Sequence, residues 1–464
     1  MKLEICEYQT PITATPQQVF DWHERPGAFT RLSPPWEKVN VISRTGGVGS
    51  GIGSAIGDGA RVVLRVRPWG VPLKWVIRHQ DFISGKQFLD VQESGPFATY
   101  QHLHQFAPGG DDTTILTDRM EYAFRFGGFG KMVAGGATRR KFNRAFGYRH
   151  QLTRSDLADH QLYAHKPRLK VLISGPNGLL GTQLSAFLTS GGHQVIGLTR
   201  GRSSETTIHW NPATGEIDSA RLEGVDAVIH LAGERIAARW TASKREAVVG
   251  SRVRGTALLA NTIAQLNNKP AVMISASAIG YYGDRGVELL DESKGAGDLF
   301  LSEVGKRWEE SAEPARQAGI RVVHPRIGIV LTPAGGALAS MLIPFRLGLG
   351  GPLGNGQQFW SWITIDDTIG GIHHALMNEA IHGPMNLVAP NPATNQEFSR
   401  TLAGVLHRPC MVAAPAFALK MLLGQMGKEL LLASQRVLPQ VLLATGYRFR
   451  NPELKEGLEF VLGR

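Results

Sequence analysis

The sequence predicts two fold classes in series. An α+β unit, with a curved antiparallel sheet closed by a long helix, precedes an α/β unit with a doubly wound parallel sheet. Three observations predict this. Up to about residue 150, apolar and polar residues alternate in RVVLRVRPWGVPLKWVIRHQDF, QFLDVQES and TTILTDRMEYAFRF, with Gly/Pro turns between. Alternation every second residue, rich in Val, Ile, Phe and Tyr, marks strands with one buried face. From Leu169, continuous apolar runs such as KVLIS and AVMISAS alternate with helical segments, the pattern of a parallel sheet covered on both faces. Between them lies AHKPR, where Pro167 stands just before the change.

In chain order, a short helix is expected over Pro16–Trp22 with Thr15 as its N-cap, then the strands, then a long helix near Ala134–Asp159 that closes the sheet. The second unit reads as strand KVLIS, helix Gly178–Ser190, strands QVIGL and DAVIHLAG, helix Ala242–Leu266, strand AVMISAS, helix Leu301–Ala318 and strand RVVHPR. The expected domains are residues 1–160, a linker at 161–168, an α/β domain at 169–400 and a C-terminal helical segment at 401–464.

Composition bounds the function. The chain is 42% hydrophobic and 19% charged, ordinary for a globular protein. No apolar run is long enough to span a membrane; MVAAPAFALKMLLGQM is broken by Pro415 and Lys420. The N-terminal MKLEICEYQT is acidic where a secretion signal is apolar. Cys6 and Cys410 lie far apart and form no metal or redox motif, so a cytoplasmic location is expected. The net charge of +11 is mostly dispersed, with clusters at TRRKFNRAFGYRH and around Lys244, Arg245, Arg252 and Arg254. Without a zinc finger, RNP pattern or basic zipper, it reads as solvated surface plus an anionic small ligand rather than nucleic acid.

The first strand of the second unit runs into Gly175-Pro-Asn177-Gly178-Leu179-Leu180-Gly181. Gly175 permits a tight turn, Gly178 lets backbone approach a pyrophosphate, and Gly181 lets the helix pack closely; the helix N-terminus then offers free N–H groups to the phosphates. This makes the unit Rossmann-type, with a dinucleotide expected at the turn. The second strand ends in VIGLTRGRSS, with Arg200 and Arg202 where NAD sites place a carboxylate for the ribose. A guanidinium suits a 2′-phosphate, so NADP(H) is favoured over NAD(H). Leu231, Ala232 and Gly233 end the next strand as small or apolar cofactor neighbours.

These residues carry a resemblance. VLISGPNGLLG, DAVIHLAGERIAARW, SRVRGT, ISASAIGYYGDRG, PRIGIVLTPAGGAL, PFRLGLGGPLGNGQQFWSWITIDD and GPMNLVAPNPATNQEF resemble the extended short-chain dehydrogenase/reductases, which include sugar-nucleotide epimerases, and within them the atypical YfcH-like branch. RVLPQVLLATGYRFRNPELKEGL is similar to that branch's C-terminal segment. ITATPQQVFDWHERPGAFTRLSPP, SGPFATYQHLHQF and TTILTDRMEY resemble the ligand-binding superfamily of START and polyketide-cyclase domains. That resemblance implies a helix-grip fold with an apolar ligand between sheet and helix.

The family resemblance implies a Ser that orients substrate, a Tyr that transfers a proton and a Lys four residues on that assists it. Ser277 fits the first role; Ser275 is grouped with the cofactor-binding residues. The Tyr-x-x-x-Lys pair is absent, its place filled by Phe300/Leu301 and Val304/Gly305, and Arg252 replaces the usual Asn of the preceding helix. Tyr281 and Tyr282 are the substitutes, as proton donors or as pocket wall. Glu303 and Glu309 read as solvated helix face. The resemblance places Pro325 by the nicotinamide. Arg326 is to reach an anionic substrate or an internal carboxylate, Trp360 and Trp362 are to line a substrate pocket or pack the core, and Glu234 is a substrate-side carboxylate. Asp366 and Asp367 read as an N-cap pair. His102 and His104 share one strand face, but the sequence suggests no third ligand nearby, so no metal is expected. The expected function is an NADP(H)-binding epimerase- or reductase-like protein acting on a small molecule, sugar-nucleotide-like or an apolar carbonyl. The alternative is a non-catalytic NADP(H)-dependent sensor.

Overall fold

The computed structural model describes residues 2–46, 56–67 and 70–464; Pro68 and Trp69 of the expected strand run lie outside them. The chain divides into two compact units, with the main break between Pro167 and Arg168.

The first unit contains β1 (Glu4–Ile12), α1 (Pro16–Glu24), α2 (Ala28–Leu32), β2 (Asn40–Thr45), β3 (Arg61–Val66), β4 (Leu73–Ile83), β5 (Gln87–Ser94), β6 (Thr99–Gly110), β7 (Thr113–Ala123) and α3 (Gly127–Gln161). The strands form one antiparallel sheet in the order β1-β7-β6-β5-β4-β3-β2. In β6 the period-two pattern buries Tyr100, His102, His104 and Phe106 on one face. Thr15 caps α1 in a capping box with Gln18, as its sequence position predicts. Helix α3 begins seven residues before the expected Ala134, because Gly127, Gly128 and Gly130 in its first turn lower the helix signal that composition gives. A buried two-point ion pair, Arg31 Nε to Asp156 Oδ2 at 2.8 Å and Nη2 to Oδ1 at 2.9 Å, ties α2 to α3. A cavity of about 470 Å³ lies between sheet and helix, lined by Phe29, Trp75, Phe88 and Phe142 among others. This is the helix-grip arrangement.

The second unit runs through β8 (Lys170–Ser174), α4 (Leu179–Ser190), β9 (Gln194–Thr199), β10 (Thr207–Asn211), β11 (Glu216–Ile217), β12 (Ala227–His230), α5 (Ala242–Ala264), β13 (Val272–Ser275), β14 (Ser277–Ala278), β15 (Leu289–Leu290), α6 (Phe300–Glu310), α7 (Glu313–Gln317) and β16 (Arg321–Ile327). It continues with β17 (Ile329–Leu331), α8 (Gly336–Arg346), β18 (Phe359–Trp360), β19 (Trp362–Thr364), α9 (Ile365–Met377), β20 (Gly383–Leu387), β21 (Ala393–Thr394), α10 (Asn395–Leu406), α11 (Ala416–Leu423), β22 (Arg436–Val437), α12 (Gln440–Ala444) and α13 (Leu454–Leu462). The main sheet has the order β11-β10-β9-β8-β12-β13-β16-β14, with β20 also on β16. All its pairings are parallel except β10 with β11. Strand order reverses between β8 and β12, the switch point outside which such sheets bind ligands. The expected helix over Leu301–Ala318 is two helices, α6 and α7, because Pro314 at the start of α7 cannot continue a helix from α6.

The C-terminal segment closes back on this unit. Strand β22 pairs with β15. Asp367 Oδ1 accepts the Arg450 N–H at 2.7 Å, and its Oδ2 accepts the Asn451 N–H at 3.1 Å. Thr364, not the aspartate pair, is the N-cap of α9, with its hydroxyl accepting the Asp367 N–H at 3.1 Å. No described helix is long and apolar enough to cross a membrane.

Candidate functional site

The loops after β8 and β12 meet at the switch point. Gly175 has φ +70°, and a Cβ there would lie 3.2 Å from Ala232 Cα, so the turn fits only a residue without a side chain. A Cβ on Gly181 would lie 2.1 Å from Gly175 O; at Gly178 the same oxygen would be 3.2 Å away. The turn therefore brings bare backbone to the first turn of α4, with Asn177 and Gly178 exposed and Leu179 and Leu180 half-buried. Ser174 fixes the opposing loop: its Oγ accepts the N–H groups of Leu231 at 3.0 Å and Ala232 at 3.1 Å, and it bonds His230 Nδ1 at 2.6 Å. This cradle suits the pyrophosphate of a dinucleotide, being glycine-walled and opening on a helix N-terminus.

Around the cradle the charge is positive. Arg200 is exposed just past β9, as is Arg202. Beneath Gly233 lies the buried Arg252, which donates from Nη1 to Glu234 O at 3.1 Å and Val248 O at 3.2 Å. Burial pulls its pKa down to about 10, so it stays charged at neutral pH. Glu234 is exposed and paired with Lys244. That hydrogen bond is the main reason its carboxyl lies below its usual range, with Arg252 and Arg200 adding to it.

At the carboxyl ends of β13 and β16, five side chains form one hydrogen-bonded network. Glu309, on α6, accepts Ser277 Oγ at 2.7 Å and Arg326 Nε at 2.8 Å on Oε1, and Arg326 Nη2 at 2.8 Å on Oε2. Arg326 Nη1 donates to Tyr282 Oη at 2.9 Å, and Tyr282 is 2.7 Å from Asn386 Oδ1. The Arg326 guanidinium also sits 3.6 Å from the Tyr281 ring centroid. Tyr281 lies over Gly305: its Cβ is 3.2 Å from where a Gly305 Cβ would be. The ring thus uses the space left at Gly305, one of the two helix positions, with Val304, where the family resemblance expects lysine.

Family models match along the chain. The NAD dependent epimerase/dehydratase family matches residues 171–299, polyketide cyclase / dehydrase and lipid transport matches 12–146, and a domain of unknown function (DUF1731) matches 414–461. The epimerase family protein Mb2239 of Mycobacterium bovis is 37% identical over 296 residues, spanning 63% of this chain and 98% of that protein. The chain belongs to the epimerase family. The human epimerase family protein SDR39U1, solved with NADPH, is 36% identical with a TM-score of 0.58, over 63% of this chain and 99% of that one. The structure of the nucleoside-diphosphate sugar epimerase from Corynebacterium glutamicum is similar over 99% of this chain and 90% of that one, at 32% identity and a TM-score of 0.81.

Within this epimerase-family chain, several expected roles are corrected. Tyr282 is fully buried, and burial pushes its hydroxyl up to about 12 despite Arg326. A hydroxyl spent on Arg326 and Asn386 is a structural tie, not a free proton donor. Glu309 is not a solvated helix residue; its side chain is 14% exposed and holds Arg326. Arg326 therefore has the internal carboxylate as its partner. Trp360 and Trp362 pack in the core with Phe398, Leu402 and Leu458, the core-packing alternative of the two expected for them. Ser275 and Pro325 are buried: Ser275 ends β13 opposite His230, and Pro325 lies inside β16 opposite Met385. Ser277 is buried too, with its hydroxyl on Glu309, while Tyr281 is half-buried and Asn177 and Gly178 of the glycine cradle are exposed.

In the first unit, β5 supplies what the sequence did not show beside His102 and His104. Register places Asp90 opposite His102, and Asp90, His102 and His104 bring ligand atoms within 4.8 Å of one another. Spacing along β6 alone could not reveal this, because the third group comes from a neighbouring strand. Burial alone would lower His104, but Asp118 and Asp90 hold it up to about 9, while burial and His104 push His102 down to about 4.

Proposed function

We propose that this chain binds NADP(H) across the β8–α4 turn and uses it to act on a small molecule carrying a carbonyl or secondary hydroxyl, as an epimerase- or reductase-like protein. The observation that carries the reading is the bare-backbone cradle, in which a side chain at Gly181 would collide with Gly175 O at 2.1 Å. Arg200 past β9, with no carboxylate in its place, supports the phosphorylated cofactor, as does the NADPH in the human relative. When bound, the nicotinamide supplies the hydride or takes it. Ser277 Oγ, whose own proton goes to Glu309, would accept the hydrogen bond of a substrate hydroxyl. Tyr281, in the space over Gly305, would carry the proton that the absent Tyr-x-x-x-Lys pair would otherwise move. Leu231, Ala232 and Gly233 would flank the cofactor, and Glu234 would stand at the edge of the substrate space.

A second reading has an observation of its own. In the Ser277–Glu309–Arg326–Tyr282 network both hydroxyls already have protein partners, which suits a cofactor-dependent sensor without turnover. Titration with NADPH and NADP+ separates the two, with turnover followed by absorbance at the nicotinamide band for ketones and aldehydes and by chromatographic separation of the epimers for nucleoside-diphosphate sugars, since epimerisation leaves no net change in the cofactor. Binding with turnover supports the enzyme; binding without turnover across the panel supports the sensor. Absence of binding removes both.

A further inference from the structure

The first unit's cavity carries a chemical cluster that the α/β unit does not use. His79, Asp90, His102 and His104 all line it, and Asp118 lies behind them. The three histidines and Asp118 are each less than nine per cent exposed. Four imidazoles and two carboxylates meet here. His102 Nε2 lies 2.7 Å from Asp118 Oδ1, His150 Nε2 2.7 Å from Asp118 Oδ2, and His104 Nδ1 2.7 Å from Asp118 Oδ1. On the cavity side, His104 Nε2 is 3.4 Å from Asp90 Oδ2, and His79 Nδ1 is 2.6 Å from Asp90 Oδ1.

We propose that this cluster is a binding site for a divalent first-row transition-metal ion, held by Asp90, His102 and His104 and open to a ligand in the cavity.

Two independent observations carry it. The first is spacing. A charge-assisted bond between imidazole and carboxylate runs about 2.7–2.9 Å, and the contacts to Asp118 have that length. The His104 Nε2 to Asp90 Oδ2 separation of 3.4 Å does not. Two donors about 2.0–2.1 Å from one tetrahedral ion stand about 3.3 Å apart, so this gap is one an ion spans. The second is convergence: one ligand atom each from Asp90, His102 and His104 lies within 4.8 Å of the others, and all three residues line the cavity. Asp118 and His79 already occupy His104 Nδ1 and Asp90 Oδ1 at 2.7 and 2.6 Å, which leaves His104 Nε2 and Asp90 Oδ2 turned to each other.

The groups behind the ligands complete the design. Metal-bound histidines usually turn their other ring nitrogen to a carboxylate, which fixes ring orientation. Asp118 stands in that place for both His102 and His104, and its second oxygen is held by His150. The donor set of two imidazoles and one carboxylate favours zinc, iron(II) or cobalt(II) over magnesium or calcium, which prefer all-oxygen shells. Three protein ligands leave a position for an oxygen donor on an otherwise apolar cavity ligand.

The test uses the full-length, tag-free protein after chelator treatment. Zinc and cobalt(II) chloride are titrated by calorimetry, and cobalt is also followed by its visible absorption. The expected result is one ion per chain, intense tetrahedral or five-coordinate cobalt bands, and a higher melting temperature with zinc. Asp90→Asn and His104→Gln should each weaken binding at least about hundredfold, and Asp118→Asn about tenfold to hundredfold. Should a variant fail to fold, the cobalt spectrum and metal-dependent melting of the wild-type chain decide. No stoichiometric binding, octahedral aquo-like cobalt bands, or binding unchanged in folded Asp90→Asn and His104→Gln would overturn the proposal.

Discussion

Arg326 and Glu309 meet in a two-point ion pair, Nε to Oε1 and Nη2 to Oε2, each at 2.8 Å, with side chains only 4% and 14% exposed. Because Oε1 also accepts the Ser277 hydroxyl, the residue that family resemblance assigns to substrate orientation is positioned by this pair. Arg326→Met leaves Glu309 charged and enclosed, and removing one partner of a buried pair costs about 3–5 kcal/mol. Urea denaturation should show that loss, and Arg326→Met combined with Glu309→Leu should recover much of it. A single variant as stable as wild type would show that the pair does not hold the corner.

The two adjacent tyrosines should separate by role. Tyr282→Phe strands Arg326 Nη1 and Asn386 Oδ1 and should cost about 1–3 kcal/mol, with little effect beyond stability. Tyr281→Phe keeps the ring beneath the guanidinium and should leave stability within about 0.5 kcal/mol. If the chain turns over substrate, Tyr281→Phe should lower kcat about hundredfold, the range for a lost proton donor. Equal kinetic loss in both variants would contradict the assignment.

His324 and His230 set an acid limit on the second unit. Burial lowers both to about 4 from 6.5; around His324, Glu309 opposes this while Arg316 and Arg326 add to it, and around His230, Arg252 adds to it. The unfolded chain takes up these protons first, so their stabilisation is complete above about pH 6.5 and falls as pH drops toward 4. Each group should account for about 2 kcal/mol of loss by pH 5. His324→Gln should therefore show a shallower decline than wild type in urea melts at pH 7.5 and pH 5. Parallel declines would contradict the assignment for His324.

Much of this was legible in the sequence, for physical reasons that also mark its limits. The Gly175–Gly181 turn can be read because each glycine answers a local steric demand that sequence spacing encodes. Alternation in β6 likewise reveals which side chains share a face. Glu309 could not be read as a partner of Arg326: nine residues into the helix region, it looks like any exposed glutamate until β16 is packed beside α6. Asp90 is hidden in the same way, since cross-strand register is not written in either strand alone. Trp360 and Trp362 stay undecided in the sequence because short extended tryptophans look alike whether they wall a pocket or fill a core. The start of α3 was missed because glycines signal turns more strongly than helices.

On the proposed function, the β8–α4 cradle and Arg200 together bind the phosphorylated dinucleotide. The most direct measurement is calorimetric titration of NADPH and NADH into wild type and Arg200→Ala. Wild type should bind NADPH at least about tenfold more tightly than NADH, a difference of about 1.4 kcal/mol, and Arg200→Ala should reduce the gap to within about threefold by weakening NADPH alone. Equal affinities in the wild-type protein, or no binding of either nucleotide, would contradict it.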